Sequence, residues 1–158
     1  MQRITPFLWY DGKAEEAVKL YTSVFKNSKI IEIKYWNEGG PYPPTQVMTA
    51  TFELDGQRFY AFDAGPMFKF TEATSFMVSC ETQEEVDHYW NSLTANGGEE
   101  SMCGWLKDKF GLSWQITPTA LMKMMGDPDK EKAGRAMEAM MTMKKINIAE
   151  IQAAFDGK

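Results

Sequence analysis

Apolar and polar positions in the first half of the chain predict one helix flanked by strands. Apolar residues recur at helical spacing over residues 13–26, directly after Asp11, which is a favourable N-cap residue. Asp55-Gly56 separates two β-rich runs, and this dipeptide is a strong hairpin signal. The predicted strands cover residues 3–10, 29–36, 46–54 and 57–64.

The second half repeats this pattern and then becomes helical. A strand over residues 73–80 precedes a capping box, in which Thr82 caps a helix and Glu85 lies three residues on. A weak β run over residues 99–103 and a hairpin over 105–117 follow. After Pro118 the spacing predicts three helices, over residues 119–125, 128–143 with Asp127 as the cap, and 148–155.

The two halves match at an offset of 69 residues. Thr5 to Leu8 aligns with Thr74 to Met77, and the acidic helix start at Glu15 aligns with Glu84. A fixed-period match indicates duplication of one structural unit. We therefore expect an α+β fold of paired βαβββ modules, at about residues 3–64 and 73–117, with a helical tail at 119–155, all within a single domain over residues 1–158.

Composition narrows the class of partner. The chain has 158 residues, a net charge of -5 and a pI of about 5.0, so no basic surface is expected for nucleic acid. No apolar run is long enough to span a membrane, and the first residues lack the apolar core of a signal peptide. Cys80 and Cys103 do not have Cys-x-x-Cys spacing. We expect a cytoplasmic protein with two free thiols.

Three segments together resemble a known family. They are the opening run at residues 4–17, the Gly65-Pro66-x-Phe68-x-Phe70 turn and the run at residues 103–116. These segments resemble the PhnB-like proteins, the 3-demethylubiquinone-9 3-methyltransferase-like branch of the vicinal oxygen chelate (glyoxalase, bleomycin-resistance and dioxygenase) superfamily. The resemblance implies paired modules that close into a cupped mixed sheet, and a homodimer. In metal-dependent members, the cup holds a divalent ion between carboxylate and imidazole ligands.

This sequence departs from the metal-dependent pattern. The last strand has Gln115 where such members place a glutamate, and Met67 stands where many relatives have a histidine. The first strand of each module offers threonine, serine or apolar residues, and Asp63 is the carboxylate of the fourth strand. Zinc, nickel and iron sites need several His, Cys or carboxylate ligands. We therefore expect neither an intrinsic metal nor another cofactor.

Asp63 and Gln115 are the candidate polar residues of the cup. Asp63 could orient a ligand or act as a general base, or it could cap the turn at residues 64–66. Gln115 is placed in the cup because its neighbours Trp114 and Ile116 would face the helices by alternation.

Further candidates would line an apolar pocket, although core packing is the alternative for each of them. With the polar pair, the predicted ligand pocket comprises Asp63, Gln115, Tyr60, Trp36, Trp105, Met67 and Ser75. His88 lies within a predicted helix, which favours a solvent-exposed role over a general base. Seven of the twelve methionines lie in residues 122–143, and a stripe including Met137 and Met141 would pack against the sheet or a dimer partner.

Three functions follow from the sequence and the resemblance. The first is a metal-free, homodimeric protein that binds a small apolar or oxygen-bearing molecule. The second is a metal-assisted lyase, isomerase or dioxygenase of the same superfamily. The third is the methyltransferase of the family label, although no Gly-x-Gly-x-x-Gly turn is present to favour a dinucleotide-type binding unit.

Overall fold

The computed structural model describes residues 3–158, and the chain divides into two compact units that meet in sequence at Phe70 and Thr71. The first unit contains one helix and four strands: β1 (Phe7–Tyr10), α1 (Ala14–Val24), β2 (Lys29–Tyr35), β3 (Val47–Leu54) and β4 (Gln57–Asp63). Its strands form one sheet in the order β1-β4-β3-β2. The β1–β4 pair is parallel and the other pairs are antiparallel.

The second unit has the same element order, followed by three helices. Its elements are β5 (Ser75–Cys80), α2 (Gln83–Thr94), β6 (Glu99–Glu100), β7 (Trp105–Lys107), β8 (Ser113–Pro118), α3 (Thr119–Met125), α4 (Lys130–Met141) and α5 (Ile148–Asp156). The sheet order β5-β8-β7-β6 matches that of the first unit, and the β5–β8 pair is again parallel. The predicted α+β class, the duplicated βαβββ order and the helical tail are confirmed.

Helix α1 starts differently from the sequence prediction. Asp11 was expected to cap it, but the N-cap position is Lys13, which makes no side-chain capping bond. The carboxylate of Asp63, at the end of β4, accepts hydrogen bonds from the backbone N–H groups of Lys13 (2.8 Å) and Ala14 (2.9 Å). A residue some fifty positions along the chain therefore supplies the acceptor that the first turn needs.

Helix α2 starts as predicted. The Thr82 side chain accepts from the backbone N–H of Glu85 at 3.3 Å. The Glu85 carboxylate accepts from the backbone N–H of Glu81 at 2.8 Å. The Thr82 cap that the sequence indicated is present, and Glu85 reaches one residue beyond it, so this short segment satisfies two N–H groups with its own side chains.

Two tight turns close the hairpins of the two sheets. Asp55 and Gly56 have φ values of 46° and 78°, the left-handed pair that a two-residue turn between antiparallel strands requires. In the second unit, buried Asp108 accepts from the backbone N–H groups of Phe110 and Leu112 and from the indole N–H of Trp114. These bonds fix the connection between β7 and β8.

The helical tail forms its own small core within the second unit. Its buried residues are Leu121, Met124, Ala136, Ile146 and Ile151. The N-cap of α4 is Asp129, whose carboxylate accepts from two backbone N–H groups, and the expectation that Asp127 caps this helix is wrong. Met140 packs against the tail core, whereas Met137 and Met141 are 43% and 60% exposed. Within residues 3–158, no helix is long and apolar enough to cross a membrane.

Each sheet has one face packed against helix α1 or α2 and one opposite face, which we call its open face. Along β8, Trp114 and Ile116 are 2% and 0% exposed, whereas Gln115 between them is half-buried. Along β4, Phe59 and Ala61 are buried, and Tyr60 and Phe62 are half-buried. Because side chains alternate along a strand, these patterns assign each residue to a face.

Candidate functional site

The open face of the first sheet carries a row of aromatic side chains, which we call the aromatic face: Phe7, Trp9, Tyr60, Phe62 and Phe68. The ring centroids of Phe7 lie 5.7 Å from Tyr60 and 4.9 Å from Phe62. Trp9 lies 4.9 Å from Phe62 and 5.0 Å from Phe68. Phe7 and Phe68 remain 56% and 60% exposed, so the row presents an apolar surface.

Asp63, the sequence-predicted polar partner of this surface, lies on the other side of the sheet. It is 2% exposed and pairs in register with buried Tyr10 of β1. Its second carboxylate oxygen accepts from the backbone N–H of Val47 at 2.9 Å, in addition to the two bonds at the start of α1. The carboxylate therefore joins three segments of the first unit, rather than facing a ligand or capping the turn at residues 64–66.

Trp36 also binds the end of β4, through a hydrogen bond to its backbone. Its indole N–H donates to the carbonyl of Asp63 at 3.0 Å, and its ring lies 5.3 Å from the ring of Tyr42. The Tyr42 hydroxyl donates to the carbonyl of Ala64 at 2.8 Å. These bonds hold the loop before β3 against the end of β4. Met67, by contrast, is 76% exposed and sits next to Phe68 of the aromatic face.

In the second unit, the structure brings together three of the predicted site residues. The Gln115 side-chain amide donates to the Ser75 hydroxyl at 2.8 Å. Gln115 pairs in register with both Met77 of β5 and Trp105 of β7, so these side chains share the open face of the second sheet. Gln115 thus lies on the face that alternation predicted for it.

A cavity of about 320 Å³ lies at this sheet, and we call it the polar pocket. It is lined by Glu72, Glu99, Glu100, Ser101, Trp105, Leu106, Lys107 and Ser113. Sequence reasoning named only Trp105 of this set. Period-two spacing could have found two more of these residues. Lys107 lies two residues after Trp105 on β7, and Ser113 lies two residues before Gln115 on β8, so each shares the face of its neighbour.

Lys107 and Glu72 form an ion pair in the polar pocket, with 2.5 Å between nitrogen and oxygen. The side-chain hydrogen bond from Lys107 holds the pKa of Glu72 below its ordinary value. The same bond raises the pKa of Lys107, and the charge of Glu99 adds to this shift. Both members of the pair are therefore charged at neutral pH.

The donor set of these residues does not fit a divalent metal ion. Across residues 3–158, no three His, Cys, Asp or Glu side chains come together as a metal site would require. The carboxylate of Asp63 is already used by three backbone N–H groups. Gln115 offers a neutral amide bonded to Ser75, and His88 is exposed on α2 beside Tyr89.

A family model described as 3-demethylubiquinone-9 3-methyltransferase matches residues 2–117. A PhnB protein from Bacillus cereus is 42% identical, with a TM-score of 0.71 over 75% of this chain and 100% of that chain. Among curated proteins, none matches the chain.

Two more distant structures share the fold. Protein PA1353 from Pseudomonas aeruginosa is 19% identical, with a TM-score of 0.63 over 75% of this chain and 98% of that one. The fosfomycin resistance protein FosX from Listeria monocytogenes is 13% identical, with a TM-score of 0.59 over 80% of this chain and 98% of that one. At these identities the likeness concerns the architecture alone.

Proposed function

This chain belongs to the PhnB-like, 3-demethylubiquinone-9 3-methyltransferase-like branch of the vicinal oxygen chelate superfamily, and we propose that it binds a small apolar or oxygen-bearing molecule without an intrinsic metal. The ligand lies on an open sheet face in this proposal. The protein acts as a homodimer, and it binds neither nucleic acid nor membrane.

The aromatic face carries this proposal. Soluble proteins rarely leave contiguous apolar surface exposed unless it binds something, and small-molecule sites are mostly apolar with a few polar groups. Phe7 and Phe68 are each more than half exposed, and their rings extend a contact row that includes Trp9. Thr51 pairs in register with Tyr60, so its hydroxyl adds a hydrogen-bonding group to the same face.

The proposal includes no resident metal because the available donor groups are poor metal ligands. Asp63 cannot ligate an ion without giving up backbone hydrogen bonds on the helix side of its sheet. Gln115 would contribute one neutral oxygen, which is a weak ligand for a transition metal.

The methyltransferase activity of the family description is not part of the proposal. Dinucleotide-type binding units place a Gly-rich turn after the first strand of a doubly wound, mostly parallel sheet. Each four-stranded sheet here has one parallel pair, β1–β4 or β5–β8, beside antiparallel ones. Calorimetric titration with S-adenosylmethionine is expected to give no binding heat.

The proposed homodimer follows from apolar side chains that the chain leaves uncovered. Ile4, Met67 and Met77 are 86%, 76% and 55% exposed. A second copy would remove part of this surface from water. Sedimentation velocity is expected to give a mass near twice 18.0 kDa, and a monomer at all concentrations tested would contradict this part of the proposal.

The ligand-binding proposal can be tested with anilinonaphthalene sulfonate, a fluorescent probe of apolar sites. We expect its emission to rise with the wild-type protein and to fall substantially with Phe7→Ser and with Phe68→Ser. Met137→Ser is the matched control, because it removes a comparably exposed apolar residue from α4. Equal probe binding by all four proteins would overturn the assignment to the aromatic face.

The metal-free part has a separate test. Purified protein is expected to contain far less than one equivalent of any transition metal by inductively coupled plasma mass spectrometry. Added Zn²⁺, Mn²⁺ or Ni²⁺ is expected to leave the melting temperature unchanged. A stoichiometric, tightly held ion would refute the proposal and favour a metal-assisted activity.

A further inference from the structure

A row of polar side chains crosses the open face of the second sheet. In register, Ser75 of β5 pairs with Ser113 of β8, Ser113 pairs with Lys107 of β7, and Lys107 pairs with Glu99 of β6. Residues paired in this way point to the same side of a sheet. The polar pocket lies over three of these four residues, with Glu72 closing it beside Lys107.

The Ser113 hydroxyl is the first feature that indicates a ligand here. Ser113 is 1% exposed and lines the pocket. Its oxygen has no hydrogen-bond partner among residues 3–158. Buried polar atoms are nearly always bonded, because an unmade bond costs the whole desolvation of the group. Because Ser113 lines the polar pocket, a polar atom that enters the cavity, from a ligand or from water, is the partner available to this hydroxyl.

The charges around the pocket indicate whether the ligand group is positive or negative. Lys107 and Glu72 neutralise each other across 2.5 Å. Glu99 pairs in register with Lys107, whose nitrogen lies against the Glu72 carboxylate, so two carboxylates face one ammonium group here. Glu100 points to the other side of its strand, where it accepts from the indole N–H of Trp90. One carboxylate therefore remains unbalanced on the open face, and it favours a cation.

Trp105 supplies the apolar wall. It lies two residues before Lys107 on β7 and lines the same cavity. An ammonium group or the carbon skeleton next to it is attracted to the face of an indole ring. We propose that the polar pocket binds a small organic molecule carrying a primary ammonium group, which hydrogen-bonds Glu99 and the Ser113 hydroxyl while its apolar part packs on Trp105. This inference rests on the proposed small-molecule function and names the chemical class of ligand for this pocket.

Three probes of similar size separate the possible chemistries. Phenethylamine carries the ammonium group, phenethyl alcohol is its neutral analogue, and phenylpropionate carries a negative charge. Binding is measured with the full-length protein by ligand-observed NMR titration at low ionic strength. We expect phenethylamine to bind about tenfold or more tightly than phenethyl alcohol, and phenylpropionate to show no binding.

Two variants test the residues. Glu99→Gln removes the unbalanced charge and Ser113→Ala removes the unpartnered hydroxyl, and each is expected to weaken phenethylamine binding about tenfold. The matched controls are Glu38→Gln, on an exposed loop of the first unit, and Ser79→Ala, an exposed position on β5. Both controls are expected to bind like the wild type. Ser113→Ala removes no existing hydrogen bond, so its melting temperature is expected to match that of the wild type.

The results also separate this inference from the broader function. Equal binding of phenethylamine and phenethyl alcohol would overturn the assignment of an ammonium ligand. Tighter binding of phenylpropionate would overturn it in favour of Lys107 as an anion site. Unchanged phenethylamine affinity in Glu99→Gln would overturn the role of that carboxylate. If anilinonaphthalene sulfonate still binds the aromatic face in any of these cases, the proposed function survives and only the ligand class for the polar pocket is lost.

Discussion

Replacement of Asp63 by asparagine tests the central structural contact of the first unit. The carboxylate accepts from Lys13 and Ala14 through one oxygen and from Val47 through the other. An asparagine of the same shape has one oxygen and one NH₂ group. In either orientation it therefore turns an N–H donor towards at least one backbone N–H group, which loses its acceptor.

The cost follows from two effects. Leaving a buried backbone N–H unsatisfied costs about 1–3 kcal/mol. Removing a negative charge from the N-terminus of α1 costs about 0.3–1 kcal/mol more, because the carboxylate favourably meets the positive end of the helix dipole. We expect Asp63→Asn to lower the free energy of unfolding by about 1.3–4 kcal/mol, measured by urea denaturation with tryptophan fluorescence.

Asp11→Asn is the matched control. Asp11 is exposed just before the same helix, and the N-cap position of α1 is Lys13 instead. Its replacement is expected to change the free energy of unfolding by less than about 0.5 kcal/mol. If Asp63→Asn were equally mild, or if Asp11→Asn were the more damaging change, the assignment of Asp63 as the residue that holds α1 would be wrong.

Three further predictions concern the second unit. Burial raises the pKa of the Cys80 thiol to about 12, so iodoacetamide at pH 8 is expected to label half-buried Cys103 before Cys80. Mass spectrometry of native and urea-unfolded protein measures this order, and labelling of Cys80 before Cys103 in the native protein would contradict the prediction. The hydrogen bond from Lys145 lowers the pKa of Asp87, so this pair stabilises the fold above the unfolded-state pKa, and the stabilisation is lost as pH falls. Asp87→Asn is therefore expected to lower the free energy of unfolding by under about 1 kcal/mol at pH 7 and to leave it unchanged at pH 2, measured by urea denaturation at both values. Arg135 donates to the carbonyls of Ala154 and Phe155 at the end of α5, so Arg135→Met is expected to speed amide hydrogen exchange in α5 severalfold while exchange in α1 stays unchanged.

Local patterns were enough to predict the elements and the faces of several strands. The alternation of Trp114, Gln115 and Ile116 assigned β8 correctly, because one face of that strand packs on α2 and the other does not. The same alternation applied to β4 places Asp63 two residues after buried Ala61, and so on the helix side. The sequence analysis left two roles open for Asp63, a ligand-facing carboxylate and a cap of the turn at residues 64–66, and the structure shows a third, because the buried carboxylate binds backbone N–H groups.

The identity of these partners depends on tertiary structure. Spacing along the chain does not reveal that the backbone N–H groups of Lys13 and Val47 converge at the end of β4, because this depends on strand order and register. The polar pocket was missed for a related reason. Lys107 and Glu72 are 35 residues apart, and only the folded sheet brings their charges together.

The two ways of starting α1 and α2 have a consequence for how the chain folds during synthesis. The cap of α2 comes from Thr82 and Glu85, so the bonds at the start of that helix depend only on its own segment. Helix α1 is made first, but its acceptor is Asp63, which the ribosome adds some fifty residues later. Isolated short helices are marginal in water, so both helices need packing, but α1 also lacks the acceptor for its first turn until β4 is made. Helix α2, although translated second, has its end bonds available within its own segment, whereas α1 gains its acceptor only when β4, the last strand of the first sheet, has been translated.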